Sequence, residues 1–241
     1  MLKAINAIWF TLILTSTFSF AQRPENAGTA DFLSGGIDAS YYSSYIWRGI
    51  TLDKGPVFQP AAYSTFNNFT FTVFSNLDDV YSGVPDSNNL GASFDYTRDL
   101  KNISVSAGYI YYPLPEIYSF SREYYAGIRF TKIPAMPYIL YYYDDGPTGG
   151  TYISAEFTQR FQIFRIDKLN TSLGLHIGYN NGIIVSGTGT DVGFLMDIGY
   201  PVTNLIGGSL VLGYVIPYGG LKDTENLNQS PRFYSGVRVG F

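Results

Sequence analysis

The chain has 241 residues, 17% of them aromatic and only 14% charged, against a usual charged share of about 25%. A formal charge of −4, the lack of any basic run and the absence of cysteine argue against a nucleic-acid partner and a disulfide-held scaffold. Mean hydropathy is only +0.03. Polarity therefore comes from Ser, Thr, Asn and Gly rather than from charge, which suits a surface with lipid on one side and water on the other.

The N-terminus reads as an export signal. Lys3 supplies a positive start, Ile8–Leu14 and its flanks a short apolar run, and Ser19-Phe20-Ala21 the small residues of a cleavage site before Gln22. The run is shorter than the roughly 20 apolar residues of a membrane helix. The expected organisation is a signal peptide over residues 1–21, a periplasmic tail over 22–34 and a single β-domain over 35–241.

From there period-2 alternation dominates. Phe69, Phe71 and Val73 alternate with Thr70 and Thr72; Leu90, Ala92, Phe94 and Tyr96 alternate with Gly91, Ser93, Asp95 and Thr97. Ile103 to Tyr111, Leu173 to Tyr179 and Val192 to Tyr200 repeat the pattern. Strands that bury one face and expose the other have this period, and no segment shows a 3.6-residue period. Twelve strands are expected, near residues 36–48, 56–66, 68–77, 88–98, 102–112, 122–132, 136–143, 151–160, 170–180, 190–200, 206–217 and 231–241. Most have about 10 residues, the length of a tilted strand crossing a bilayer. Pro60 and Pro137 interrupt the second and the seventh, so ten or fourteen strands stay open.

Short links at Asn67-Asn68, Asp99–Lys101, Ile133–Ala135 and Pro201–Leu205 alternate with longer polar ones, apart from a long link at 161–169. Outer-membrane barrels alternate in this way, with short periplasmic turns and longer external loops. A soluble β-sandwich would carry Asp, Lys and Glu on its polar face. Here that face is mostly Gly, Ser and Thr. The expected fold is thus all-β, an antiparallel transmembrane β-barrel of about twelve strands in the outer membrane of a Gram-negative-type bacterium, surrounded by lipid. The last strand alternates Phe233, Ser235, Val237, Val239 and Phe241 with Tyr234, Gly236, Arg238 and Gly240. Its terminal Phe241 resembles the signal read by the barrel-assembly machinery.

Parity then assigns the inward face. If Ile37, Ala39, Tyr41, Ser43, Tyr45 and Trp47 meet lipid, with Tyr45 and Trp47 in an external aromatic girdle, then Asp38 and Arg48 point inward. The same reasoning on other strands gives Asn76, Asp95, Glu123, Arg129, Glu156, Arg160, His176, Asp197 and Arg238 as pore-lining candidates. Opposed charges can set a transverse field across a channel for small hydrophilic solutes. They can equally pair off and fill a barrel that conducts nothing. Twelve strands enclose more space than the eight that side chains can just fill, which favours passive diffusion of solutes or ions.

The segment Ser44-Tyr45-Ile46-Trp47-Arg48-Gly49-Ile50, followed by Pro56 and by Ser75-Asn76-Leu77-Asp78, resembles the signature of the TorF-like outer-membrane porin family. The match covers residues 41–78, with Trp47 where that family more usually has phenylalanine. The resemblance implies a porin-like barrel of unspecified solute and marks Arg48, Gly49, Asn76 and Asp78 as signature positions.

Other chemistry has little support. His176 is the sole histidine and lies on the inward face among Ser172, Gly174 and Gly178, not beside a lipid-facing nucleophile. The acidic pairs Asp78-Asp79 and Asp144-Asp145 read as loop residues, and no zinc spacing or phosphate loop occurs. No cofactor, metal site or catalytic residue is expected. The alternatives left are a non-conducting anchor or scaffold and, behind it, an outer-membrane hydrolase.

Overall fold

The computed structural model describes residues 33–78, 89–114, 119–146, 149–162, 168–183, 187–222 and 230–241. The expected signal peptide, the tail up to residue 32 and Asp79 lie outside the described residues. Fourteen strands follow in chain order: β1 (Leu33–Tyr42), β2 (Tyr45–Trp47), β3 (Ile50–Asp53), β4 (Val57–Phe66), β5 (Phe69–Asp78), β6 (Asn89–Asp99) and β7 (Ile103–Leu114). The rest are β8 (Ser119–Phe130), β9 (Tyr138–Asp144), β10 (Gly150–Phe161), β11 (Asn170–Asn181), β12 (Thr188–Pro201), β13 (Gly207–Gly219) and β14 (Arg232–Gly240).

Twelve of them close a barrel in the order β1-β14-β13-β12-β11-β10-β9-β8-β7-β6-β5-β4, every neighbour antiparallel. Closure lets each strand satisfy its backbone donors and acceptors on both sides and leaves no edge. β1 meets β14 from Asp38↔Gly240 to Tyr42↔Gly236, so the first and last strands close the wall with their free ends together. The strand count of twelve holds, and the proline-bearing segments are wall strands. Pro60 sits inside β4 opposite Ala39, while Pro137 lies just before β9.

Alternation sorts the wall into two faces. Ile37, Tyr41, Phe71, Val73, Phe94, Ile139, Tyr141, Ile153, Leu173, Ile177, Phe194, Leu210 and Val237 are all exposed on the outside. Exposed rings gather towards the two rims: Tyr41, Phe58, Tyr111, Tyr143, Tyr179 and Tyr218 at one, Phe66, Phe69, Phe161, Tyr200 and Phe241 at the other. The exposed charges Lys54, Arg98, Asp99, Lys101, Lys132, Lys168 and Lys222 lie in turns or at strand ends. An apolar waist with aromatic girdles is what a hydrocarbon-facing barrel wall requires.

The first expected strand is corrected. β1 begins at Leu33, two residues inside the expected tail, and stops at Tyr42 rather than 48. The chain then enters the barrel as a small hairpin, β2–β3, which forms a separate two-stranded sheet. Tyr45 and Trp47 are therefore not girdle residues but lie inside, each 2% exposed. Alternation alone cannot show that a strand has left the sheet. The physical reason for the turn inward is a partner for Arg48, and that partner lies across the barrel.

Candidate functional site

The inward hairpin turns at Arg48-Gly49, between the paired residues Trp47 and Ile50. Both turn residues have positive φ, 49° for Arg48 and 79° for Gly49, as a two-residue hairpin turn with the right twist demands. Glycine meets this readily; an arginine does so at a cost of about 1–2 kcal/mol. The side chain offsets that cost. Arg48 donates two parallel hydrogen bonds to Glu123 of β8, Nη1 to Oε1 at 2.5 Å and Nη2 to Oε2 at 2.7 Å. Its guanidinium also lies 4.5 Å from the ring centres of Trp47, Tyr142 and Tyr152. A planar fork that binds a carboxylate at its edge and rings on its faces is chemistry lysine cannot reproduce.

Gly49 lies against the wall. A Cβ there would come within 2.5 Å of the Asp191 Cβ and 3.0 Å of the Leu221 side chain. Around the hairpin, Tyr45, Trp47, Ile50, Val57, Ile110, Tyr112, Tyr125, Leu140, Tyr142, Tyr152, Ile183 and Leu221 form one buried cluster. The rings of Tyr125, Tyr142 and Tyr152 follow one another across β8, β9 and β10 at 5.5 and 6.1 Å. This half of the interior is thus a packed aromatic core with the Arg48–Glu123 pair at its centre.

Beside it, the Tyr152 hydroxyl lies 2.7 Å from His176 Nε2 and donates to Asp191 Oδ1 at 3.0 Å; Asp191 Oδ2 is 2.7 Å from the same histidine nitrogen. His176 is buried on the inward face, its Nε2 shared by a tyrosine and a carboxylate. Asp144 differs from expectation. It is 1% exposed at the end of β9, where Ser121 Oγ donates to it at 2.6 Å and the Gly146 amide at 2.7 Å. Only its neighbour Asp145 acts as a surface group, pairing with the half-exposed Arg122 at 2.8 Å. Among the described residues, no three His, Asp or Glu side chains gather as a metal site would need.

Towards the rim where β1 begins and β14 ends, the interior loosens. Arg238 donates to Asp197 at 2.5 Å and to Ser209 Oγ at 3.2 Å. Arg129 lies 4.2 Å over the Tyr138 ring. Tyr138 stands opposite both Arg129 and Glu156 in the ladder, and Arg160 stands opposite Ser172, itself opposite Asp197. Asp38, Gln59, Ser106, Arg129, Arg160 and Ser209 are only half-buried. Further along the wall, Asp95 accepts from Ser93 at 2.8 Å and from the Tyr125 hydroxyl, and Asn76 accepts from Gln59 at 2.7 Å.

All eleven pore-lining candidates thus lie on the inner side or, for Arg48, on the enclosed hairpin, and three of them, Asp38, Arg129 and Arg160, are half-buried. Sequence reasoning missed Tyr142, Tyr152, Asp144 and Asp191. The signal for them was parity rather than residue type. Tyr142 sits between the outward Tyr141 and Tyr143, and Asp191 is two places before the inward Gly193.

Neither a family model nor a curated protein sequence matches the chain. Solved structures match it in fold. The KdgM porin superposes with a TM-score of 0.58 at 13% identity, covering 86% of this chain and 99% of that one. The NanC porin gives 0.53 at 12% identity, covering 86% and 98%. An outer membrane channel from Pseudomonas putida F1 gives 0.50 at 10% identity, covering 88% and 97%.

Proposed function

We propose that the chain is an outer-membrane, porin-like channel through which small hydrophilic solutes or ions diffuse passively. The observation that carries this reading is one closed twelve-strand wall with apolar side chains outside and the buried charged and polar ones inside, beside a packed cluster of rings. Such a wall is stable only with hydrocarbon around it and water or protein within. The likeness in fold to porins over nearly their whole length supports it. One of them is described in complex with disordered oligogalacturonate. Here the cations Arg48 and Arg238 are matched by carboxylates, so the reading stops at small hydrophilic solutes.

The proposal includes membership of the TorF-like family through residues 44–50 and 75–78, export by cleavage after Ala21, and assembly through Phe241. The candidates with water access, Asp38, Arg129 and Arg160, would set the field in the open half of the lumen, with Arg238 and Asp197 beside them. The mechanism needs no cofactor and no energy input.

Purified protein in planar bilayers should give stepwise conductance. Folded protein in silent bilayers would favour the scaffold reading, which the packed aromatic core also supports. Lipase or peptidase turnover lost in His176→Ala would favour the hydrolase.

A further inference from the structure

We infer that the hairpin of residues 43–56 is an internal plug that sets the bore of the channel, with the Arg48–Glu123 pair as its fastening; the inference rests on the channel reading.

The wall does not need this hairpin. β1 and β4 pair continuously from Leu33↔Phe66 to Tyr42↔Val57, so a two-residue turn could join Tyr42 to Val57 and leave every β1–β4 pair in place. Instead the chain makes a long excursion whose middle is enclosed, with only Ser43, Lys54 and Pro56 at its two ends exposed. Ser44, Tyr45, Ile46, Trp47, Arg48, Ile50, Thr51 and Asp53 are all buried. A loop that served an external partner would lie open at the rim.

The ring order shows how far it reaches. Counting round the closed sheet from the β1–β4 seam, β9 and β10 are the diametrically opposite pair. Those two strands supply Tyr142 and Tyr152, the rings that sandwich Arg48, and neighbouring β8 supplies Glu123. The hairpin therefore spans the bore from seam to far wall. Gly49 rests against Asp191 of β12.

The fastening is chemically specific. A left-handed turn position favours Asn or Gly, so a backbone argument alone would not place arginine at 48. Its presence is explained by the bidentate bond and the rings across the bore. A buried pair of this kind holds one arrangement strongly, because releasing one partner strands the other charge.

Three proteins and a control test this, each carrying Trp9→Phe so that any tryptophan signal comes from Trp47. The first is the parent. The second replaces residues 43–56 with Asn-Gly. The third is Glu123→Ala, with the half-exposed surface variant Arg122→Ala as control. Each is folded into lipid vesicles and recorded in planar bilayers, and Trp47 emission and acrylamide quenching are measured where the ring is present.

Unit conductance several-fold above the parent is expected for the shortened chain. A silent parent with a conducting shortened chain also upholds the plug, while overturning an open resting channel. A conducting parent whose shortened form gives the same unit conductance overturns the plug alone. Two silent, folded barrels overturn both readings. In Glu123→Ala, Trp47 should become severalfold more quenchable and its emission should move to longer wavelength, with no change in Arg122→Ala. Unchanged Trp47 quenching in Glu123→Ala overturns the fastening, and this result stands even if the shortened chain does not fold.

Discussion

Removing Glu123 should loosen the hairpin far more than it loosens the barrel. In the folded protein Arg48 and Glu123 are 3% and 0% exposed and joined by two short bonds. Taking away one partner of a buried pair costs about 3–5 kcal/mol, because the remaining charge is left without solvent or counter-charge. The wall keeps its ladders on either side of β8, so the loss falls on the local equilibrium that releases the hairpin. At 1.36 kcal/mol per decade, that corresponds to roughly 160- to 4,700-fold more opening. The three rings around Arg48 should keep the result towards the lower end, since cation–π contacts in dry surroundings contribute about 2 kcal/mol.

Amide exchange at Trp47, Gly49 and Ile50, followed by mass spectrometry in vesicles, reads this directly. Exchange should accelerate by two decades or more in Glu123→Ala, while β11 and β12 amides change little. The double replacement Arg48→Met with Glu123→Leu should recover most of the protection, because a buried ion pair can be exchanged for apolar residues of similar volume at little cost. A full cycle with both single variants should show strong coupling. Single-variant effects under about tenfold, or effects that simply add, would refute the assignment of Arg48–Glu123 as the fastening.

Gly49→Ala should release the same hairpin from the other side, since the added Cβ falls 2.5 Å from Asp191 and the φ of 79° disfavours any L side chain; the amide exchange of Trp47 and Ile50 checks it. Asp197→Ala should strand Arg238, whose Nη2 now donates to it at 2.5 Å, and lower the urea midpoint of vesicle-folded protein by the equivalent of about 3 kcal/mol. Phe194→Arg, outward on β12 and 49% exposed, should cost about 2–4 kcal/mol of folding free energy in vesicles if it lies near the bilayer midplane. Unaltered folding would contradict a hydrocarbon-facing waist. Arg122→Ala, by contrast, removes a partly exposed pair and should change stability by less than about 1 kcal/mol.

The wall was legible in the sequence because a strand that separates two media must alternate with period 2, and each residue reports its own side. Phe194, Met196 and Asp197 on β12, or Phe233, Val237 and Arg238 on β14, needed no knowledge of any other strand. The same local rule failed at Tyr45 and Trp47, where it continued a strand past Tyr42. An inward hairpin and an extended strand share the same alternation, and what separates them is a residue 75 positions away, Glu123.

Sequence alone therefore determined the architecture: an antiparallel barrel wall of about twelve strands and the two faces of that wall, each a consequence of neighbouring residues. Tertiary structure alone decided who meets whom across the bore. It paired Arg48 with Glu123, placed Tyr142 and Tyr152 on its faces and set Asp191 against Gly49. Those partners depend on the circumference of the closed sheet and the register of each strand, which no local pattern of residues records.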